Sequence, residues 1–401
     1  MLKKRFAAII LVLGLVFGGT ATALAYDYSE YYEPDELPSA IEVSRPMLSP
    51  LPARSAILIS QNTGQVLFEQ NPDVQLPPAS ITKVMTMLLV VEAIERGDIT
   101  LNDIVVASVF ASSMGGSQIW LEPGEEMTVH ELFKAVAVSS ANDAAVALAE
   151  HVAGSEDAFV ARMNERAAQL GLMGTYFVNS CGLDDEGHLT TARDVAIVSR
   201  ELMRYPLVSE YTTIWIDSLR GGETELVNTN RLVRFYQGAT GLKTGTTGGA
   251  GSCLAATANR DGFGLVAVVM GSATSDERFA AARGLLDYGF ANYAVVQVPS
   301  IDDQLAPVKV LRGMSESVGI TYDPPADLLV QRGQEDAISQ RVTLVSDVMA
   351  PVSMGQTLGR VEITVDGEVV SEYIIRAAED VERMNLPGAF SMMLRGAARI
   401  R

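Results

Sequence analysis

Pro77-Pro78-Ala79-Ser80-Ile81-Thr82-Lys83-Val84-Met85-Thr86-Met87-Leu88-Leu89-Val90-Val91 is the stretch on which the reading of the chain turns. Prolines are tolerated at the entrance to a helix and not inside it. From Val84 to Ile94 the residues are apolar nearly all round. A helix beginning near Ser80 is therefore expected to be central and buried, with Gly97 as its end. Residues i and i+3 share a helix face, so Lys83 can reach the Ser80 hydroxyl. A serine hydroxyl needs a base before it is a useful nucleophile. A lysine becomes that base when its pKa falls, and burial and a second cation both lower it. The helix N-terminus also favours negative charge developing at Ser80. Ser-x-x-Lys alone is a weak pattern, since an N-cap serine followed by a solvated lysine has the same letters. The buried helix makes a solvated lysine awkward, and that raises the pattern's weight.

Working outward, Ala56 to Ile59 and Val66 to Phe68 read as a hairpin turning at Asn62-Thr63-Gly64. Residues 129 to 153 read as helix broken between Ser140 and Asp143. Asp157 to Leu170 and Thr191 to Met203 read as two more helices. Cys253 to Ala258 and Leu265 to Val269 are strand-like around an Arg260-Asp261-Gly262 turn, and a helix is expected near Arg278 to Tyr288. Hairpin, helices, then strands make an α+β domain, an antiparallel sheet flanked by helices, expected over residues 51–297. From 298 to 377 the runs are short and β-like. Val361 to Val365 and Val369 to Ile375 flank Asp366-Gly367, a strong hairpin signal for a small all-β domain.

Two further elements carry chemistry. Ser140-Ala141-Asn142 interrupts the helical stretch. Ser140 there reads as a proton relay to a leaving amine, and Asn142 as a hydrogen-bonding partner for a substrate amide. Ser60-Gln61-Asn62 has the same form but lies in a hairpin turn, where serine and asparagine are ordinary. Lys243-Thr244-Gly245, followed by Thr246, supplies a second cation to depress Lys83. It also offers two hydroxyls for an anionic substrate end, and a glycine that permits close backbone approach. Each element is weak alone. Their order and spacing, roughly sixty and then one hundred residues apart, make the set specific.

With these residues the chain resembles the D-alanyl-D-alanine carboxypeptidases, the low-molecular-mass penicillin-binding proteins, over roughly residues 50 to 376. The resemblance extends to Pro78-Ala79-Ser80, Ser139 to Ala144, Gly182-Leu183, His188 to Asp194, Asn228-Thr229-Asn230 and Gly241 to Gly245. It implies a penicillin-binding/β-lactamase-like transpeptidase fold and attack by Ser80 on the terminal D-alanyl-D-alanine bond of a peptidoglycan stem pentapeptide. It further implies an oxyanion held by the N–H groups of Ser80 and Thr246, and covalent inhibition by β-lactams. No cofactor or metal is implied. Ala141 stands where many relatives have glycine. Many relatives also carry a basic residue on the strand after Lys-Thr-Gly; the expected position here is Gly264, which leaves carboxylate binding to Thr244, Thr246 and Lys243 or to Arg260. The glutamate of class A β-lactamases, in a Glu-x-x-x-Asn setting, is absent between Asn142 and Lys243. A catalytically silent wall-binding protein is the reading from a different class.

Composition bounds the setting. Residues 1–25 read as a secretory signal: Lys3, Lys4 and Arg5, an apolar run from Ala7 to Phe17, then Ala23-Leu24-Ala25. Without them 27 basic residues face 49 acidic ones, a net charge of −22, which disfavours nucleic acid as a partner. Residues 26–50 read as an extended acidic linker. In the expected tail, 378–401, Phe390, Met393, Leu394, Ala397 and Ile400 would share one face of a basic helix suited to a membrane surface. Cys181 and Cys253 read as separate buried thiols, and the three histidines as structural or surface residues.

Overall fold

A computed structural model describes residues 50–388. The expected signal, nearly all of the linker and the tail from residue 389 lie outside the described residues. Strand β1 (Ser55–Ser60) pairs with β2 (Val66–Gln70) as the expected hairpin. After a 3-10 turn at Ala79–Thr82 comes helix α1 (Lys83–Glu95), then α2 (Val129–Val138), α3 (Asn142–Ala153) and α4 (Ala192–Leu202). Strands β3 (Ala239–Thr247), β4 (Gly251–Arg260) and β5 (Phe263–Ser272) follow, and helix α5 (Ser275–Asn292) closes this part.

The five strands form one antiparallel sheet in the order β2-β1-β5-β4-β3. Its alternating residues explain why it is covered twice. Ile57, Ile59, Ala255, Val266 and Val268 face the helical cluster around α1. Ala56, Leu58, Leu254, Ala256, Leu265 and Val269 face α5 through Phe279, Leu285 and Leu286. Helix α1 is buried from Lys83 through Val91, as its all-round apolar character requires. The break between α2 and α3 is real: Ser140 has φ +66° and ends the first helix, and Ala141 leads into the second.

The Lys-Thr-Gly stretch lies in the edge strand β3. Tertiary pairing with β4 overrides the weak strand propensity of Gly and Lys. Strand β6 (Tyr293–Gln297) pairs with Asp327–Gln331. Tyr293 and Val295 pack on the α5 side, while Ala294 and Val296 pack into the β cluster, so this strand belongs to both cores. Beyond it a four-stranded sheet runs in the order Ile320–Tyr322, Glu368–Ala377, Thr357–Val365, Ile338–Leu344. Its central hairpin turns at Asp366 and Gly367, both with positive φ. The chain after Ala377 does not leave this unit at once: Ala378 donates to the Gly319 carbonyl, and Val381 bridges Val352. Among the described residues no helix is long and apolar enough to cross a membrane.

Candidate active site

The Ala79–Thr82 turn lifts Ser80 onto the end of α1 and sets it against β3. A Cβ on Gly245 would meet Ser80 N, the Pro78 carbonyl and Ala79 Cβ, each at 3.0 Å. Only glycine lets the strand pass this close. Lys83 is fully buried, and its Nζ lies 3.0 Å from Ser80 Oγ, 2.6 Å from Asn142 Oδ1 and 2.6 Å from the Cys181 carbonyl. A neutral amine has two N–H donors and one lone pair. Asn142 Oδ1 and the Cys181 carbonyl can only accept, so they take both N–H groups. In the neutral form the lone pair is left for the Ser80 hydroxyl, whereas the ammonium form donates to Ser80 Oγ as well. Asn142 is oriented in turn by its Nδ2, which donates to the Gly115 carbonyl at 2.6 Å.

Burial lowers the Lys83 pKa from 10.5 to about 8, against the pull of Cys181 and Asp143, which raise it. Lys243 is also fully buried and is driven well below its ordinary value, first by burial, then by repulsion from Lys83 and Arg278. The expectation that Lys243 is what depresses Lys83 therefore needs revision. Desolvation is the leading cause at Lys83.

Ser140 is buried in its left-handed turn, and among the described residues its hydroxyl makes no hydrogen bond. Thr244 Oγ1 donates to Thr229 Oγ1 at 2.7 Å, and Thr246 Oγ1 donates to the Gly245 carbonyl. Asn228 and Asn230 staple this wall: Asn228 Nδ2 donates to the Thr212 and Ile214 carbonyls, and Asn230 Nδ2 to the Gly241 carbonyl. Cys181 and Cys253 are free, buried thiols; burial raises the pKa of each.

Gly264 is not at the site. It pairs with Asn259 at the far end of the sheet, whereas Thr246 pairs with Ser252 and Ser252 with Ser272. The turn at Asp261-Gly262 sends β5 back, so its start lies opposite the end of β4. Arg260 shares that far end, over the Tyr236 and Phe290 rings at 4.9 and 4.3 Å. The cation beside Thr246 comes from α5. Arg278 Nη1 donates to Thr246 Oγ1 at 2.8 Å, to the Gly245 carbonyl at 2.9 Å and to the Cys253 carbonyl at 3.2 Å. It is 7% exposed, burial lowers its pKa, and its Nε has no partner among the described residues. The sequence held no local signal for it, because Arg278 reads simply as the start of a helix.

A helix-end serine, a buried lysine within hydrogen-bond reach of its hydroxyl, and a hydroxyl-bearing edge strand with buried cations behind it are the groups a serine acyl-transfer centre needs. The comparisons agree. The family model described as D-alanyl-D-alanine carboxypeptidase matches residues 41–274, and that of the penicillin-binding protein 5 C-terminal domain matches residues 293–383. D-alanyl-D-alanine carboxypeptidase DacF of Bacillus subtilis is 42% identical over 335 residues, 82% of this chain and 86% of the relative. The solved penicillin-binding protein 5 from Haemophilus influenzae superposes with a TM-score of 0.76 at 30% identity, covering 84% of this chain and 99% of that one. Penicillin-binding protein D2 from Listeria monocytogenes, solved in a cefotaxime-bound form, gives a TM-score of 0.56 at 33% identity over 61% of this chain and 99% of that one. This chain belongs to the D-alanyl-D-alanine carboxypeptidase family.

Proposed function

We propose that the protein is a serine carboxypeptidase that removes the terminal D-alanine from peptidoglycan stem pentapeptides, with Ser80 as nucleophile. The observation that carries this reading is the fully buried Lys83 amine 3.0 Å from Ser80 Oγ; once neutral, with Asn142 Oδ1 and the Cys181 carbonyl taking its two N–H groups, it has a lone pair for the Ser80 proton. Neutral Lys83 takes the Ser80 proton as Oγ attacks the carbonyl between the two D-alanines. By the family resemblance the oxyanion is received by the Ser80 and Thr246 N–H groups; Ser80 N lies close against Gly245, the residue before Thr246. Ser140 passes a proton to the leaving amine as the C–N bond breaks, and Asn142 holds the acyl-side amide. Thr244, Thr246, Lys243 and Arg278 gather the terminal carboxylate, Arg278 through the hydroxyl it touches. Water then hydrolyses the Ser80 ester and releases the shortened peptide.

β-Lactams would acylate the same serine, as the cefotaxime-bound relative suggests by its likeness. A peptidoglycan substrate lies outside the cytoplasm, which fits the expected signal at 1–25, the linker at 26–50 and a membrane-surface tail. We take residues 51 to about 292 as the catalytic unit and the β-rich unit as running from Tyr293 to about 383. The test is release of D-alanine from a pentapeptide ending in D-alanyl-D-alanine, run beside benzylpenicillin. Stoichiometric release with a long-lived penicilloyl-enzyme supports a carboxypeptidase; rapid penicillin turnover without peptide cleavage would make it a β-lactamase.

A further inference from the structure

His188 stands outside the catalytic set, 2% exposed, and both its ring nitrogens are committed. The Val178 N–H donates to Nδ1 at 2.8 Å. A ring nitrogen that accepts carries no proton, so the neutral ring holds its proton on Nε2. Nε2 lies 2.7 Å from Thr82 Oγ1 and therefore donates to it. The Thr82 hydroxyl, already accepting, donates onward to the Ala79 carbonyl at 2.8 Å. The chain has one direction: Val178 N–H to His188, His188 to Thr82, Thr82 to the Ala79 oxygen.

The carbonyl at its end belongs to an unusual residue. Ala79 has φ +48°, a left-handed conformation that alanine resists. Gly182 backs onto the same group: a Cβ there would stand 2.0 Å from the Ala79 oxygen and 2.9 Å from Thr82 Oγ1. The peptide unit joining Ala79 to Ser80 is planar and trans, so its C=O and N–H point in opposite directions. Pinning the Ala79 oxygen on the Thr82 side turns the Ser80 N–H the other way, toward β3, where Gly245 passes closest.

We infer that His188, acting through Thr82, is a positioning residue that fixes the Ala79–Ser80 peptide plane and so aims the Ser80 N–H at the developing oxyanion. The inference rests on the reading of Ser80 as nucleophile, which D-alanine release by Ser80→Ala tests separately. The hydroxyl of Thr82 bonds to His188 and to the Ala79 carbonyl and, among the described residues, to neither Ser80 Oγ nor Lys83. Its effect on the reaction therefore runs through the backbone.

The experiment uses the full chain with Thr82→Val, Thr82→Ser, His188→Leu, His188→Gln and the Thr82→Val/His188→Leu double variant. Acylation by a chromogenic cephalosporin is resolved into binding and the first-order acylation step, and D-alanine release into kcat and KM. Thermal melts confirm that each protein is folded at the assay temperature. Thr82→Val and His188→Leu should each slow acylation and kcat about ten- to a hundredfold, less than the roughly hundred- to thousandfold of losing an oxyanion donor outright, because the donor is misaligned and not removed. Binding and KM should stay within about threefold, because the lost alignment matters in the transition state. The double variant should be no slower than the slower single, since both break one chain. Thr82→Ser and His188→Gln, which keep a donor and an acceptor at each link, should recover most of the rate. If His188→Leu does not fold, the Thr82 pair decides. A folded Thr82→Val with the unaltered acylation rate, or multiplicative losses in the double variant, overturns the inference. Rate losses that merely follow the folded fraction, with Ser no better than Val, overturn it equally.

Discussion

Replacing Arg278 with glutamine should cost the enzyme its grip on the substrate's free carboxylate. The guanidinium is 7% exposed, and one of its nitrogens donates to Thr246 Oγ1 and to the Gly245 and Cys253 carbonyls. Hydrogen bonds involving a charged partner are worth about 1.5–3 kcal/mol each in net terms. One such interaction lost from substrate binding is a factor of about 10 to 150 in kcat/KM at roughly 1.4 kcal/mol per decade. The carboxylate is held before and during reaction, so most of the loss should fall on KM. The assay compares a peptide ending in D-alanyl-D-alanine with the same peptide ending in D-alaninamide. Wild-type enzyme should prefer the acid, Arg278→Gln should lose most of that preference, and Arg278→Lys should restore part of it. Gly264→Arg is the control and should change neither substrate, because residue 264 lies at the far end of the sheet. An Arg278→Gln protein that is folded and keeps the full acid-to-amide ratio refutes the assignment. Restoration of that ratio by Gly264→Arg in the Arg278→Gln background would refute the register.

Three further outcomes follow from the same geometry. Because Lys83 titrates at about 8, acylation should rise roughly tenfold per pH unit below that value and level off above it; a pH-independent rate from 6 to 9 would contradict Lys83 as base. Gly245→Ala puts a Cβ 3.0 Å from three atoms of the nucleophile turn; acylation should fall at least about tenfold and stability by about 1–3 kcal/mol from overpacking, measured by fluorescent penicillin labelling and urea melts. His188 is held neutral by burial, its pKa lowered from 6.5 to about 4. Between those values the unfolded chain binds a proton that the folded chain refuses. Stability should therefore fall as pH drops through that window, by on the order of 2–3 kcal/mol, and should not change on this account above 6.5; denaturation of wild type and His188→Gln across pH 4–7 should show a flatter curve for the variant.

The sequence made some of this visible and hid the rest for physical reasons. Ser80 and Lys83 are legible because their relation is local, one helical turn set by an apolar helix. The break at Ser140 is legible because an otherwise periodic stretch stops there. Arg278 is not, because its relation to Thr246 exists only after α5 packs on the sheet, and nothing in its own neighbourhood marks it. Gly264 misleads for the converse reason. Distance along the chain after Lys-Thr-Gly does not reveal where the β4–β5 turn reverses direction, and the register places Ser272 at the Thr246 end instead. The partner that completes Lys83 is a backbone carbonyl, that of Cys181, and residue type carries no trace of it. Strand β6 falls inside the expected 51–297 domain, and composition does not show that its two faces serve two different cores.

The central claim is that Ser80 forms the acyl-enzyme on the D-alanyl-D-alanine bond. D-Alanine release from a stem pentapeptide, measured for the full chain and for Ser80→Ala in parallel with penicillin labelling, tests it most directly. The wild-type protein should release one D-alanine per peptide and take one penicillin per chain, and Ser80→Ala should do neither while melting as a folded protein. Residual turnover of the peptide by folded Ser80→Ala, or labelling that persists at another residue, would contradict the account.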